Sequence, residues 1–294
     1  MDIADLQARL DCVAQGWTPQ QRLHIGNVAW AYARGDGGTA PDVALTWGSP
    51  LHGFADIWLP GTAALHLTPG LPAHQVATVV DEILAVAPRV TLKASLQHAE
   101  LVRALKQRGF RRCDGPWFAQ LWRSLTDLQE RPVPDGYTIR QVRPDELPAR
   151  VDVHRRCWQP ARIKQMLNLP VTGDEGDSSY SLDKHLAVIG TPPYRGELDL
   201  VAEAPDGTLA AYGLGWLDPR SKSVLFEPVG TAPDHADRGL ARALCTEILR
   251  AARELGATQA VVGPRGDDAY PMPRRLYEGL RMREVGQVVS FTNR

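Results

Sequence analysis

The segment Glu227-Pro-Val-Gly-Thr-Ala-Pro-Asp-His-Ala-Asp-Arg-Gly-Leu-Ala-Arg-Ala-Leu244 constrains this chain more than any other. A strand-like run passes into a short loop and a helix begins inside that loop, with Leu244, Ile248, Leu249 and Ala252 at helical spacing and Gly256 as its stop. The first turn of a helix has N–H groups without intrahelical acceptors, and the helix dipole adds positive potential at the same end. Such a loop suits a pyrophosphate. Gly239 removes the side chain where the phosphate must come close, Ala241 keeps the next turn low, and Arg238 and Arg242 offer charge-assisted contacts. Pro228, inside the preceding strand, predicts a bulge that splays this strand from its neighbour. Backbone groups of Val229, Gly230 and Thr231 are then placed to pair with an extended, amide-bearing ligand arm.

The surrounding periodicity predicts a strand over 137–142, a helix from about Pro144 to Trp158, and a long polar, proline-bearing segment to about Gly196. A hairpin follows, Leu198 to Ala204 and Leu209 to Trp216 about a Pro205-Asp-Gly-Thr208 turn, then a third strand from Ser223. After the helix from Arg238 to Leu255 come a strand over 258–262, a helix from about Met272 to Leu280 and a last strand from Val285 to Phe291. This order predicts an α/β domain with a mixed sheet. The proline-bearing stretch Gln129 to Gly136 reads as a linker, and 294 residues suit two domains of about 100–200 residues each, 1–130 and 136–294.

The first half repeats the ending of the second. A helix over 73–87, a strand over 90–96, the helical Leu101-Val-Arg-Ala-Leu-Lys-Gln-Arg-Gly-Phe110 and a strand ending near Ser124 match the order of the last elements, which suggests a duplication. Aligning Gly109-Phe110 with Arg281-Met282 sets Leu105 opposite Tyr277. The first half lacks the phosphate loop, for Thr68-Pro-Gly-Leu-Pro-Ala-His74 carries two prolines and no Lys or Arg.

The run Ala236, Asp237, Arg238, Gly239, Leu240, Ala241 resembles the Arg/Gln-x-x-Gly-x-Gly/Ala signature of the GNAT superfamily of acyl-CoA-dependent N-acyltransferases, with Ala236 in place of Arg or Gln. Tyr277-Glu-Gly-Leu-Arg-Met282 is similar to that family's Tyr-x-x-x-Gly-Phe, with Arg281 and Met282 departing from it. The resemblance covers about the last 160 residues by element order. It implies two GNAT-like domains, each a mixed, mostly antiparallel central sheet flanked by helices, the first a degenerate copy. It further implies acetyl-CoA or another short acyl-CoA as co-substrate, no metal, and direct attack by a primary amine of a small molecule or peptide. Backbone groups from Val229 to Thr231 and from Ala236 to Arg242 would hold the CoA, and Tyr277 would protonate the departing thiolate. Glu227, on the strand leading to the loop, is the candidate base.

His154, Trp158 and Arg162 are candidates for the acceptor cleft, although an ordinary helix face would look the same, and the 159–196 segment is expected to cap that cleft. Tyr270, Asp267 and Asp268 follow the penultimate strand and stand near the expected CoA arm or in a plain loop. With 33 basic against 34 acidic residues, no global basic field draws in nucleic acid or an anionic membrane. No apolar run approaches the roughly 20 residues of a membrane span. Cys12, Cys113, Cys157 and Cys245 are scattered without metal-ligand spacing and read as reduced thiols of a cytoplasmic protein, monomer or homodimer. A catalytically silent acyl-CoA sensor and a pure interaction module are the rival readings.

Overall fold

The computed structural model describes residues 3–34, 40–166 and 178–294. The first half runs α1 (Ile3–Ala14), α2 (Ile25–Arg34), β1 (Val43–Trp47), β2 (Gly53–Trp58), β3 (Thr62–Leu67), α3 (Ala73–Val86), β4 (Thr91–Ser95), α4 (Ala99–Gln107), β5 (Arg111–Arg112) and β6 (Phe118–Ser124). The second runs β7 (Thr138–Gln141), α5 (Leu147–Cys157), α6 (Pro160–Met166), α7 (Leu182–Ile189), β8 (Asp199–Glu203), β9 (Leu209–Asp218), β10 (Ser223–Thr231), α8 (Leu240–Glu254), β11 (Gln259–Val262), α9 (Met272–Glu278) and β12 (Arg283–Thr292). The hairpin, the strand leading to the glycine loop and the closing helix and strand all form where their periodicity places them. Helix α8 starts at Leu240 rather than Arg238, because Asp237 and Gly239 adopt left-handed backbone at φ 60° and 81°.

These strands join one sheet in the order β1-β2-β3-β4-β12-β6-β11-β10-β9-β8-β7, with β5 beside β12. Neighbours are antiparallel except β3 with β4 and β10 with β11. The two halves exchange strands at the centre. β6 leaves the first half to pair with β11, from Gln259↔Ser124 to Val262↔Leu121. β12 crosses the other way to β4, from Val288↔Ser95 to Thr292↔Thr91, and β6 and β12 also pair with each other. Each half therefore completes the other's sheet, a connection that residue periodicity cannot reveal.

Strand alternation sorts the cores. Val224 and Phe226 of β10 face a core shared with α8 and α9, whereas Leu225 faces one shared with α1 and α2. Helix α8 buries Leu240, Leu244, Ile248, Leu249 and Ala252 on the first of these. It lies close to the sheet because β9 offers Gly213 and Gly215, where any Cβ would stand 2.8 Å from Ile248. On the opposite face α2, an element of the first half, packs on β9 and β10 of the second. A Cβ at Gly26 would come within 2.4 Å of Trp216, and His24 Nε2 lies 2.9 Å from Ser223 Oγ.

The duplicated ending is visible atom by atom. Phe110 N donates to Leu105 O at 3.1 Å, and Met282 N donates to Tyr277 O at 3.1 Å. Gly109 and Arg281 hold left-handed φ of 79° and 61° at the same corner. Among the described residues no helix is long and apolar enough to cross a membrane.

Candidate active site

The loop between β10 and α8 leaves a run of backbone amides without partners among the described residues, facing open space, which is what an anion cradle requires. Ala232 N is tied to Ala210 O at 2.8 Å, and the turn at Pro233–His235 uses the amides of His235 and Ala236. From Asp237 to Arg242, however, the backbone N–H groups find no acceptor among the described residues. The left-handed conformations at Asp237 and Gly239 turn successive amides toward one concavity, the arrangement called a nest. A Cβ at Gly239 would meet nothing within 4 Å, so the space in front of it is open.

A cleft of about 570 Å³ opens from this cradle along the sheet. Val229, Gly230, Thr231, Ala236, Asp237, Gly239, Leu240, Ala241, Arg242, Trp158, Arg162, Tyr270 and Tyr277 all border it. The slot beneath it comes from the bulge expected at Pro228. The register of β10 on β9 shifts between Phe226 and Val229, and β10 keeps β11 beside it only from Ser223 to Leu225. Past that point the two parallel strands part. Thr231 Oγ1 is buried there with no hydrogen-bond partner, an acceptor or donor left for something else in the cleft. Open space at Gly239, the free amides and the orphaned hydroxyl fit the diphosphate and amide groups of a CoA.

Tyr277 is 6% exposed, and its ring stacks on Phe226 with centroids 5.7 Å apart. Its hydroxyl makes no hydrogen bond among the described residues. Burial, then the nearby Cys245 thiol and Glu227, push its pKa well above the ordinary phenol value, so it is protonated throughout the neutral range. The Arg242 guanidinium lies against the end of α9, where a Cβ on Gly279 would stand 2.7 Å from it. Arg238 does not border the cleft. Its guanidinium donates to the Tyr137 hydroxyl at 3.0 Å and the Asp234 carbonyl at 3.2 Å.

Glu227 lies on the other side of the slot, in a second cleft of about 210 Å³ that Trp17, His24, Asn27, Lys93, Phe118 and Gln120 also border. Those partners come from the first half, on α1–α2, β4 and β6, and nothing in the local pattern around Glu227 announces them. Trp216 fixes the strand here, its Nε1 donating to the Glu227 carbonyl at 2.6 Å. Trp158 and Arg162 thus stand on the cradle side rather than beside Glu227, with Trp158 Nε1 donating to the Tyr212 hydroxyl at 2.6 Å. His154 borders neither cleft. It is 4% exposed and stacks on Tyr180 at 3.9 Å between centroids. Asp267 is engaged by Arg265 at 2.7 Å, and neither it nor Asp268 borders the cradle cleft. Of the segment expected to cap the acceptor, α7 packs against α2 and α5, and 167–177 lie outside the described residues.

The model of the acetyltransferase (GNAT) family matches residues 166–277, which span the hairpin, the splayed strand, the cradle and the tyrosine. Those residues belong to the GNAT acetyltransferase family. Several solved structures similar over nearly the whole chain are described as GNAT proteins. A GCN5-related N-acetyltransferase from Sphaerobacter thermophilus is 18% identical with a TM-score of 0.56, covering 99% of this chain and 93% of that one. A GNAT-family acetyltransferase from Colwellia psychrerythraea is 13% identical with a TM-score of 0.60, covering 99% and 97%. A tandem GNAT protein from the clavulanic acid biosynthesis pathway is 15% identical with a TM-score of 0.58, covering 99% and 95%. At these identities the likeness is one of fold, two GNAT-like units of mixed sheet flanked by helices. No curated protein matches the chain by sequence.

The first half has a parted pair of parallel strands of its own. β3 and β4 run parallel only over Thr62↔Thr91 and Ala63↔Leu92, then part, as β10 and β11 do. Counting from the first pair in each, His66 falls at the position of Glu227, and Leu105 falls at that of Tyr277. His66 is 5% exposed, and burial pulls its pKa down to about 3. Where the GNAT cradle has free amides, the loop has Pro69 and Pro72, and Thr68 N is spent on His52 O at 2.9 Å. Arg22 enters the slot, its Nε and Nη2 donating to Leu65 O at 3.2 and 2.8 Å, and a cleft of about 220 Å³ remains beside it between β3 and β4.

Proposed function

We propose that this chain is an acyl-CoA-dependent N-acyltransferase that moves an acetyl or other short acyl group from CoA to a primary amine of a small molecule or peptide in the cytoplasm. Residues 136–294 are the catalytic part and 1–130 a degenerate copy. The observation that carries this reading is the run of unpaired amides from Asp237 to Arg242 at the mouth of a parted pair of strands, with a protonated tyrosine on one side and a carboxylate on the other. Bound acyl-CoA would supply the thioester whose carbonyl the amine attacks, with CoA leaving as the thiol.

The residues divide the work by face. The amides from Asp237 to Arg242, helped by the exposed Arg242 guanidinium, hold the diphosphate, and the free edge of Val229 to Thr231 lines the pantetheine path. Glu227 takes the amine proton, directly or through one water, from the cleft on the opposite face. Tyr277 donates to the sulfur as it leaves, and its raised pKa keeps that proton in place until negative charge develops there. Parting of the strands lets the two substrates approach from opposite sides of one sheet.

Calorimetric titration with acetyl-CoA, followed by thiol release over a panel of primary amines, tests the reading. One CoA per chain and amine-dependent release are expected. Tight CoA binding without transfer to any amine would favour a silent sensor, and no CoA binding would remove the cradle from the argument.

A further inference from the structure

The cleft that Glu227 borders is charged in a way that the reaction chemistry does not use. Arg22 and Lys93 both border it, and both also border an adjoining cleft of about 220 Å³. Neither forms an ion pair among the described residues, whereas Arg9 nearby is satisfied by Asp56 at 2.6 Å, and Glu100 by Arg103 at 2.6 Å. Arg22 disfavours the charge on Lys93, while the Asp56 carboxylate favours the charge on Arg22. Burial and then Arg22 lower the Lys93 pKa, and burial lowers that of Arg22 to about 10.

Each cation has a contact that sets its position at the cleft. The Leu65 carbonyl fixes one edge of the Arg22 guanidinium, and its Nη1 has no partner among the described residues. Lys93 is exposed at the cleft, with its Nζ over the Phe118 ring 4.5 Å from the centroid. In the cleft that Glu227 borders the other titratable neighbour is His24, whose pKa burial lowers to about 4, leaving it neutral and bonded to Ser223. The adjoining cleft adds Glu100, the buried His66 and the half-buried His98, and burial lowers the pKa of both histidines. The cleft thus presents one carboxylate and two positive groups, a complement to a molecule with one amine and one anionic group.

We propose that the acceptor is an amino carboxylate, its carboxylate seated by Lys93 and Arg22 and its amine turned toward Glu227. The assignment rests on the acyltransferase reading above only for the fate of the amine. The adjoining cleft gives the rest of the molecule room, so a free amino acid or short peptide fits the site better than an uncharged amine.

The test compares the common α-amino acids with their carboxamides, once as acceptors with acetyl-CoA and once as calorimetric ligands of the full chain with and without CoA. Each carboxylate that is accepted should exceed its carboxamide about tenfold or more in kcat/KM, through KM. Lys93→Gln should erase that preference, Lys93→Arg should restore most of it, and neither should alter CoA affinity. Equal handling of carboxylate and carboxamide in both turnover and binding overturns the proposal, as does a Lys93→Gln chain that keeps the preference. Carboxylate binding that depends on Lys93 in a chain that transfers to no amine supports this site and sinks the acyltransferase reading instead.

Discussion

Replacing Tyr277 by Phe removes one hydroxyl from the cleft and nothing else, which makes it a clean probe of the leaving-group step. The ring stays in place, because it is stacked on Phe226 and packed in the core under α8 and α9. No hydrogen bond is broken among the described residues, so no partner is left buried and unpaired, and stability should change by less than about 1 kcal/mol. Activity should not be spared. A positioned proton donor contributes about 10²–10⁴-fold, and even the low end corresponds to about 2.7 kcal/mol of transition-state stabilisation at 1.36 kcal/mol per decade. Steady-state thiol release should therefore show kcat and kcat/KM falling together by about 10²-fold, while calorimetry returns an unchanged dissociation constant for acetyl-CoA. The raised pKa also predicts that the parent enzyme loses no activity to tyrosine ionisation as pH climbs from 7 toward 10. A Tyr277→Phe chain as active as the parent would assign the acid to water or another group, and one that loses CoA affinity in step with rate would make Tyr277 a binding residue.

Gly239→Val should weaken CoA binding tenfold or more in calorimetry, since φ of 81° is strained for a β-branched residue and its methyls enter the open space before the amides; unchanged affinity in a folded variant would dismiss the cradle. Burial lowers the pKa of His24, His66 and His185 to about 4, 3 and 4, below the roughly 6.5 of an unfolded histidine. The unfolded chain then binds more protons, so the contribution of these groups is full above pH 6.5 and is lost as pH falls from 6.5 toward 4; urea midpoints that stay flat across that window would contradict the burial of these rings. Residues 135–294 expressed alone should fail to unfold cooperatively, because β11 loses β6, β12 loses both β4 and β6, and Ala119, Leu121 and Leu125 leave the core; a soluble, active fragment would show the exchange to be dispensable.

What the sequence disclosed was local. Pro205-Asp-Gly-Thr208 announces its hairpin because turn chemistry is written in adjacent residues, and Pro228 announces the bulge because a missing N–H cannot be placed in a regular ladder. Gly239 announces the cradle for the same reason. Partner choice is not written locally. Alternation along β6 and β12 states which face is apolar but not which strand lies alongside, so the exchange is invisible until both edges are seen. The wall opposite Glu227 was missed because Lys93 and Phe118 look like ordinary strand residues, and only the fold sets them beside it. Arg238 shows the limit from the other side. Its place in the loop suggested an anion contact, yet Tyr137, far away in sequence, holds its guanidinium.

Strand exchange gives the first half a structural part in the whole sheet, whatever becomes of a site of its own. Selection on a CoA site would keep free amides, an open slot and a hydroxyl, and here Pro69 and Pro72, the inserted Arg22 and Leu105 stand in their places. Selection on the sheet would keep the strands, and those are intact, with β6 and β4 flanking the closing strand of the other half. Arg22 and Lys93 sharpen the point. Arg22 enters the slot of the first half, and the same side chain, with Lys93 from β4, borders the cleft that Glu227 borders. A half freed from binding its own CoA could change these positions without loss, and changes that shaped the neighbouring cleft would then be retained as specificity.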